Sequence, residues 1–95
     1  MVITWSVHAL RELRALREYI GRTQPAAASS IAEQIISATD RLAIYPEYGR
    51  RASWDATGRL RELVVAATPF LVLYTIGPES IVVVRVLHGA QRRRS

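Results

Sequence analysis

The sequence predicts a two-layer domain of the α/β (α+β) class, in which two helices cover one face of a small, mainly antiparallel sheet. Three observations lead to this prediction: a short β-rich opening, two following segments with helical spacing of apolar residues, and three closing β-rich runs with short spacers. Ninety-five residues suffice for one domain, here residues 1–95, with 91–95 expected to form a flexible basic tail.

The N-terminal strand and first helix are predicted within residues 2–21. "VITW" at 2–5 is rich in β-branched and aromatic residues, which favour strands. Ser6 is a good helix N-cap, and Gly21 stands where the helical pattern stops. Between them, an apolar stripe at helical spacing comprises Leu13, Leu16 and Ile20.

The second helix is predicted to begin at Pro25, because proline is favoured at the first helical position. Its apolar stripe comprises Ile31, Ile35, Ala38 and Leu42, and Pro46 ends it. The connector between the two segments is short, which predicts an antiparallel helical hairpin.

The last three strands follow a loop at residues 46–58, "PEYGRRASWDATG". The runs "RLRELVVAA", "TPFLVLYTI" and "SIVVVRVLH" are β-rich and closely spaced, so we expect a three-stranded antiparallel meander.

The final strand raises a problem of coverage. Strict alternation places Ile81, Val83, Arg85 and Leu87 on one face, and both faces of the meander are largely apolar. Two helices cover one face only, so we expect a partner, or a second copy of the chain, to cover the other. Arg85 must reach solvent or an anion, either Glu62 across the sheet or an acidic residue of the partner.

Composition narrows the functional classes. A hydrophobic share of 49% excludes general disorder, and the absence of cysteine excludes disulfides and thiolate metal sites. The apolar runs are too short for a bilayer span, no signal-peptide pattern is present, and a cytoplasmic location is expected. No metal-ligand spacing occurs, and no cofactor is expected. The net charge of +5 comes from arginine without lysine, which suits an acidic protein or nucleic acid, although codon usage in a GC-rich genome also explains the missing lysine.

The chain resembles the ParE family of bacterial toxins, within the RelE/ParE superfamily. The resemblance lies in "WSVHALRELRALREYI", in "TQPAAASSIAEQIISATDRLAIYPEYGRR", and in the runs "RELVVAATPFLVLYTI" and "IVVVRVLHGAQR". It implies a RelE/ParE-like fold and the toxin of a type II toxin–antitoxin system, which inhibits growth by blocking DNA gyrase as a protein inhibitor and not as an enzyme. The implied partners are gyrase and a small ParD-like antitoxin with an acidic C-terminal segment. Neither membrane nor sequence-specific nucleic-acid binding is expected.

Eight residues are candidates for contacts with the target or antitoxin. Arg61 and Glu62 have an alternative in pairing with neighbouring charges, and His88 has one in donating a hydrogen bond to a backbone carbonyl. Trp54 either packs over the sheet edge or stays exposed. Many family members end in an aromatic residue and a proline, whereas this chain ends in arginines and Ser95. The eight candidates are Arg59, Arg61, Glu62, Arg85, His88, Gln91, Arg92 and Arg93.

The alternative function is that of the RelE-like nucleases, which cut messenger RNA on the ribosome. That chemistry needs an acid, a base and cations at the scissile phosphate. Arg61, Arg85 and His88 would be its catalytic residues here. RelE-like nucleases commonly use lysines and a C-terminal tyrosine, which this chain lacks, so the sequence favours the inhibitor.

Overall fold

The computed structural model describes the backbone of residues 1–94 and the side chains of residues 1–91. The helices are α1 (Val7–Gly21) and α2 (Pro25–Asp40). A 3-10 turn follows α2 at Arg41–Ala43, and a 3-10 helix at Gly89–Arg94 follows the last strand. The strands are β1 (Val2–Trp5), β2 (Arg50–Arg51), β3 (Arg61–Val64), β4 (Phe70–Ile76) and β5 (Ser80–His88).

The described strands form one sheet in the order β1-β5-β4-β3-β2. β1 runs parallel to β5, with Ile3 opposite Ile81, and the other neighbours are antiparallel. The predicted strand, helical hairpin and antiparallel meander are therefore confirmed. The two-residue strand β2 lies inside the segment that was predicted to be a loop.

The first helix begins and ends where the sequence predicts. The Ser6 hydroxyl accepts a hydrogen bond from the Ala9 N–H at 3.0 Å and caps α1. At the hairpin, a Cβ built on Gly21 would lie 3.7 Å from the Ala28 Cβ, so the two helices approach closely there. The second helix ends at Asp40, and Leu42 stays buried because the 3-10 turn carries it onto the core.

The main core lies between the helices and the sheet. Trp5 packs against it from β1. Its buried members come from both layers and include fully enclosed side chains such as Ile35 and Tyr74. Burial of such side chains contributes about 1.5–3 kcal/mol each.

A β-bulge in β5 makes the predicted facing of that strand wrong. The register shifts so that Leu73 lies opposite Arg85 while Tyr74 lies opposite Val83, and Val84 is the extra residue. Beyond the bulge the facing inverts, so Leu87 lies on the opposite face from Ile81. Strict alternation had placed them together.

The prediction of an uncovered second face is also wrong over the centre of the sheet. Leu71, Leu73 and Leu87 form a second buried cluster, each exposed by at most 2%. Trp54 and Leu60, from the loop between β2 and β3, pack against that cluster. The chain therefore covers most of this face itself, and the half-buried Val82 and Val84 lie outside that cover.

Candidate interaction surfaces

The turn before β2 is clamped by one buried tyrosine. The Tyr74 hydroxyl donates to the Pro46 carbonyl at 2.7 Å and accepts from the Gly49 N–H at 2.9 Å. A Cβ on Gly49 would lie 2.6 Å from the Tyr74 oxygen and 2.7 Å from the Glu62 carbonyl oxygen. Glycine is therefore required here by close approach, and burial raises the pKa of the Tyr74 phenol.

Arg61 holds the same turn from β3. Its Nη1 donates to the Gly49 carbonyl at 2.6 Å and to the Glu47 carbonyl at 3.4 Å. The Arg61 Nη2 also lies 3.7 Å from a Glu47 carboxylate oxygen. Arg61 thus has a structural role in addition to any contact with a partner.

The clamped turn presents large apolar side chains to solvent. Ile44, Tyr45 and Tyr48 are exposed by 73%, 62% and 69%, respectively. We call these three residues the exposed turn patch. The Tyr74 bonds fix the backbone on either side of Tyr48, and the N–H groups of Ile44 and Tyr45 donate to the Arg41 carbonyl at 3.1 and 3.0 Å. A partner can therefore bind the patch with little loss of backbone entropy. Sequence reasoning missed the patch, although all three residues stand in the quoted run "TQPAAASSIAEQIISATDRLAIYPEYGRR".

Glu62 is buried, with a relative exposure of 4%. Its carboxylate accepts from Arg50 Nε at 3.4 Å and from Trp54 Nε1 at 3.1 Å. Glu62 therefore pairs with a neighbouring charge, Arg50, which is the alternative that the sequence gave for this residue. The bond from the indole also answers the question about Trp54, which packs over the sheet.

Asp55 shapes the loop that carries Trp54. Its Oδ2 accepts from the Thr57 hydroxyl at 2.6 Å and from the N–H groups of Leu60 and Arg59 at 3.0 and 3.1 Å. The bond from Thr57, followed by that from Leu60, lowers the pKa of the Asp55 carboxyl. Aspartate is common in turns because its carboxylate accepts hydrogen bonds from the backbone N–H groups that follow it.

Arg85 pairs with Glu12 of α1, so the pairing with Glu62, which was one of the two alternatives for this residue, is wrong. Its Nε and Nη2 donate to one Glu12 oxygen at 2.9 and 2.8 Å, which raises the pKa of the guanidinium. The other Glu12 oxygen accepts from the Val86 N–H at 2.9 Å. Together with the Ser6 hydroxyl, which donates to the Val84 carbonyl at 3.0 Å, Glu12 covers the edge of β5 beyond β1.

His88 and Gln91 lie together at the end of β5. The Gln91 side-chain oxygen accepts from the His88 N–H at 3.0 Å, and the His88 ring packs edge-on against Phe70. His88 Nδ1 accepts from the Ala90 N–H at 3.1 Å, so this bond to the backbone runs in the opposite direction to the donation that was given as an alternative. The predicted contacts of Arg92 and Arg93 lie outside the described side chains, and the mobility of the tail stays a prediction.

The candidates thus occupy separate places, and the proposed catalytic trio does not converge. Arg61 lies opposite Tyr74, which lies opposite Val83, whereas His88 ends β5 five residues later. Because Val84 is the extra residue of the bulge, the matching distance along β4 is the four residues from Tyr74 to Phe70, which is about 13 Å at about 3.3 Å per residue. Arg85 lies between them but is already engaged by Glu12.

The described part of the chain shows neither a metal site nor a membrane-spanning helix. Residues 1–91 contain no group of three or more His, Asp or Glu side chains placed to hold a metal ion. Among the described helices, none has the length and apolarity needed to cross a membrane.

Comparison with known proteins agrees with this architecture. The family model for the ParE toxin of the type II toxin–antitoxin system parDE matches residues 3–93. A toxin named RelE2 from Caulobacter vibrioides is 40% identical over 89 residues, which cover 94% of this chain and 96% of that protein. A putative toxin, Y4kP, from Sinorhizobium fredii is 36% identical over 90 residues, covering 95% and 90%. A toxin named RelE3, also from Caulobacter vibrioides, is 32% identical over 87 residues, covering 90% of each chain.

A solved structure shares the fold. A chain described as the chromosomal ParDE system from P. aeruginosa superposes with a TM-score of 0.80, covering 93% of this chain and 95% of that one at 19% identity. The family match and the curated relatives span nearly the whole sequence. This chain therefore belongs to the ParE toxin family of type II toxin–antitoxin systems.

Proposed function

We propose that this toxin acts in the cytoplasm by binding and inhibiting DNA gyrase, and that a small ParD-like antitoxin neutralises it. The observation that carries the proposal is the match of residues 3–93 to the ParE toxin model. A protein inhibitor requires a surface of fixed shape with exposed apolar anchors. The exposed turn patch, held by Tyr74 and Arg61, has both properties.

The competing function is cleavage of messenger RNA, and the names RelE2 and RelE3 of two relatives are the observation in its favour. Cleavage would need an acid or base and a phosphate-binding cation within reach of one bond. The separation of Arg61 from His88 along β5 and the engagement of Arg85 by Glu12 argue against that arrangement.

A supercoiling assay tests the proposal. Purified chain is added to gyrase, ATP and relaxed plasmid, and we expect supercoiling to fall as the chain is titrated. In parallel, the chain is added to a translation extract, where primer extension should reveal no new message ends. If supercoiling is unimpaired and the message is cut, the proposal of a gyrase inhibitor is refuted in favour of the nuclease.

The role of the exposed turn patch is tested by matched tyrosine variants. Tyr45→Ala/Tyr48→Ala should raise the concentration that inhibits gyrase about 10- to 100-fold, since central aromatic contacts dominate protein interfaces. Tyr19→Ala is the control, because Tyr19 is 73% exposed on α1 and equally free to change. Equal effects of the two substitutions would remove the patch from the target interface.

A further inference from the structure

The outer side of α1 carries exposed arginines along its whole length. Arg22, the C-cap residue of the helix, lies 11 residues after Arg11, which is about 16 Å along the axis at about 1.5 Å per residue. At 3.6 residues per turn, the exposed arginines of α1 fall within an arc of about 140° on the side away from the core. We call this surface the arginine face, and its residues are Arg11, Arg14, Arg17 and Arg22.

The chain leaves the positive charge of the arginine face largely unneutralised. Within the described side chains, none of its guanidinium groups has a hydrogen-bond or ion-pair partner. Glu18 is four residues from both Arg14 and Arg22, a spacing that permits pairing, but among the described side chains it pairs with neither. Glu12, the other carboxylate of α1, is already bound by Arg85 at the edge of β5.

The remaining side chains of α1 narrow the class of partner. Leu13 and Leu16 pack against the main core, so the apolar side of the helix is not available to enter a bilayer, as a membrane-surface helix requires. The exposed side chains from Arg14 to Glu18 include no large apolar residue of the kind that anchors a protein interface. A surface that offers guanidinium groups without an apolar anchor suits phosphate groups.

Duplex DNA matches the arginine face in charge density and shape. It carries one negative charge per about 1.7 Å of its axis, so about 16 Å of helix lies beside roughly nine phosphate charges. A single strand carries about half that density, and proteins that bind single strands add aromatic side chains on which bases stack. Tyr19, the aromatic residue of α1, points about 60° outside the arc of the arginine face.

We propose that the arginine face binds the phosphate backbone of duplex DNA without regard to base sequence. Guanidinium groups bind phosphate oxygens through two parallel hydrogen bonds. Such contacts orient a protein on the duplex but do not read its bases. The inference goes beyond the proposed function, because DNA is here a ligand of the chain itself, and its test contains no gyrase.

The test measures how binding depends on salt. The full chain is added to a fluorescein-labelled duplex, and fluorescence anisotropy gives the binding constant between about 50 and 200 mM salt. Each phosphate contact contributes about −0.9 to the slope of log Kobs against log salt concentration, so contacts from all four arginines predict a slope of about −3.6. Arg14→Gln/Arg22→Gln should bring the slope to about −1.8 and weaken binding about 10- to 100-fold at about 100 mM salt.

Two variants serve as controls, and circular dichroism verifies that every variant is folded. Arg51→Gln/Arg59→Gln removes the same charge at two exposed arginines outside α1, and it should change the slope by less than about 0.5. Tyr19→Ala removes the aromatic ring beside the arginine face and should leave duplex binding unchanged.

Four results would overturn the inference. The wild-type chain does not bind the duplex at about 50 mM salt; the two double arginine variants lower the slope equally, which indicates general electrostatics; a single strand of the same length binds more tightly than the duplex and depends on Tyr19; or polyglutamate or phosphatidylglycerol vesicles displace the labelled duplex as well as unlabelled duplex does. The last result would assign the arginine face to an acidic protein or to a membrane surface.

Discussion

Replacing Tyr74 with phenylalanine tests the clamp that fixes the exposed turn. The substitution keeps the buried ring and removes two hydrogen bonds, to the Pro46 carbonyl at 2.7 Å and from the Gly49 N–H at 2.9 Å. Tyr74 is fully buried, so no bulk water replaces the hydroxyl. Each backbone group left without a partner costs about 1–3 kcal/mol. We therefore expect the free energy of unfolding to fall by about 3 kcal/mol, with no cavity contribution.

The assay is urea unfolding followed by circular dichroism. For a domain of this size, a loss of about 3 kcal/mol corresponds to a fall in Tm of roughly 12 to 24 °C. If the slope of the unfolding free energy against urea concentration is unchanged, the substitution acts on the native state. The control is Tyr19→Phe, at an exposed position of α1, which should change stability by less than about 0.5 kcal/mol. A loss below about 1 kcal/mol for Tyr74→Phe would refute the clamp.

Three other substitutions test the remaining contacts. Gly49→Ala should cost about 2–3 kcal/mol, because its Cβ would lie 2.6 Å from the Tyr74 oxygen; an unchanged urea midpoint would contradict that close approach. Glu12→Gln should lower the free energy of unfolding by about 1–2 kcal/mol, because it weakens the bonds to Arg85 and Val86. The same substitution at an exposed glutamate of α1 should leave stability unchanged. Equal effects of the two substitutions would refute the edge contact. Asp55→Asn should destabilise the chain more at pH 7 than at pH 3. The folded pKa of Asp55 is lowered, so its contribution is present above about pH 4 and disappears as the pH falls through the folded value; a pH-independent effect would contradict this.

The order of elements was predictable because each one is encoded locally. The Ser6 cap, the stop at Gly21 and the start at Pro25 all stand where the sequence indicated. Each depends on backbone chemistry within a few residues, so no tertiary information was needed.

The second face of the sheet was not predictable in the same way. Its cover depends on where the loop carrying Trp54 folds, and that is set by the distant contacts of Trp54 with Glu62 and with the buried leucine cluster. The facing of Arg85 depended on a bulge, which one extra residue creates without changing the composition of the strand. Periodicity alone therefore gave the wrong facing for the residues of β5 after Val84.

The candidate site was predicted only in part. Arg59 and Arg61 were named from the sequence and line one groove beside the clamped turn, but Arg51, which also lines it, was not named, because its segment was predicted to be a loop. The tyrosines of the exposed turn patch were missed because apolar residues in a loop resemble core residues until their exposure is known.

Plasmid topology in cells expressing this chain, measured together with the 5′ ends of their messenger RNA, tests most directly whether the toxin acts by binding gyrase. The account predicts that plasmids lose negative supercoils soon after induction while message ends stay unchanged. Normal supercoiling with new message ends inside coding sequences would contradict it.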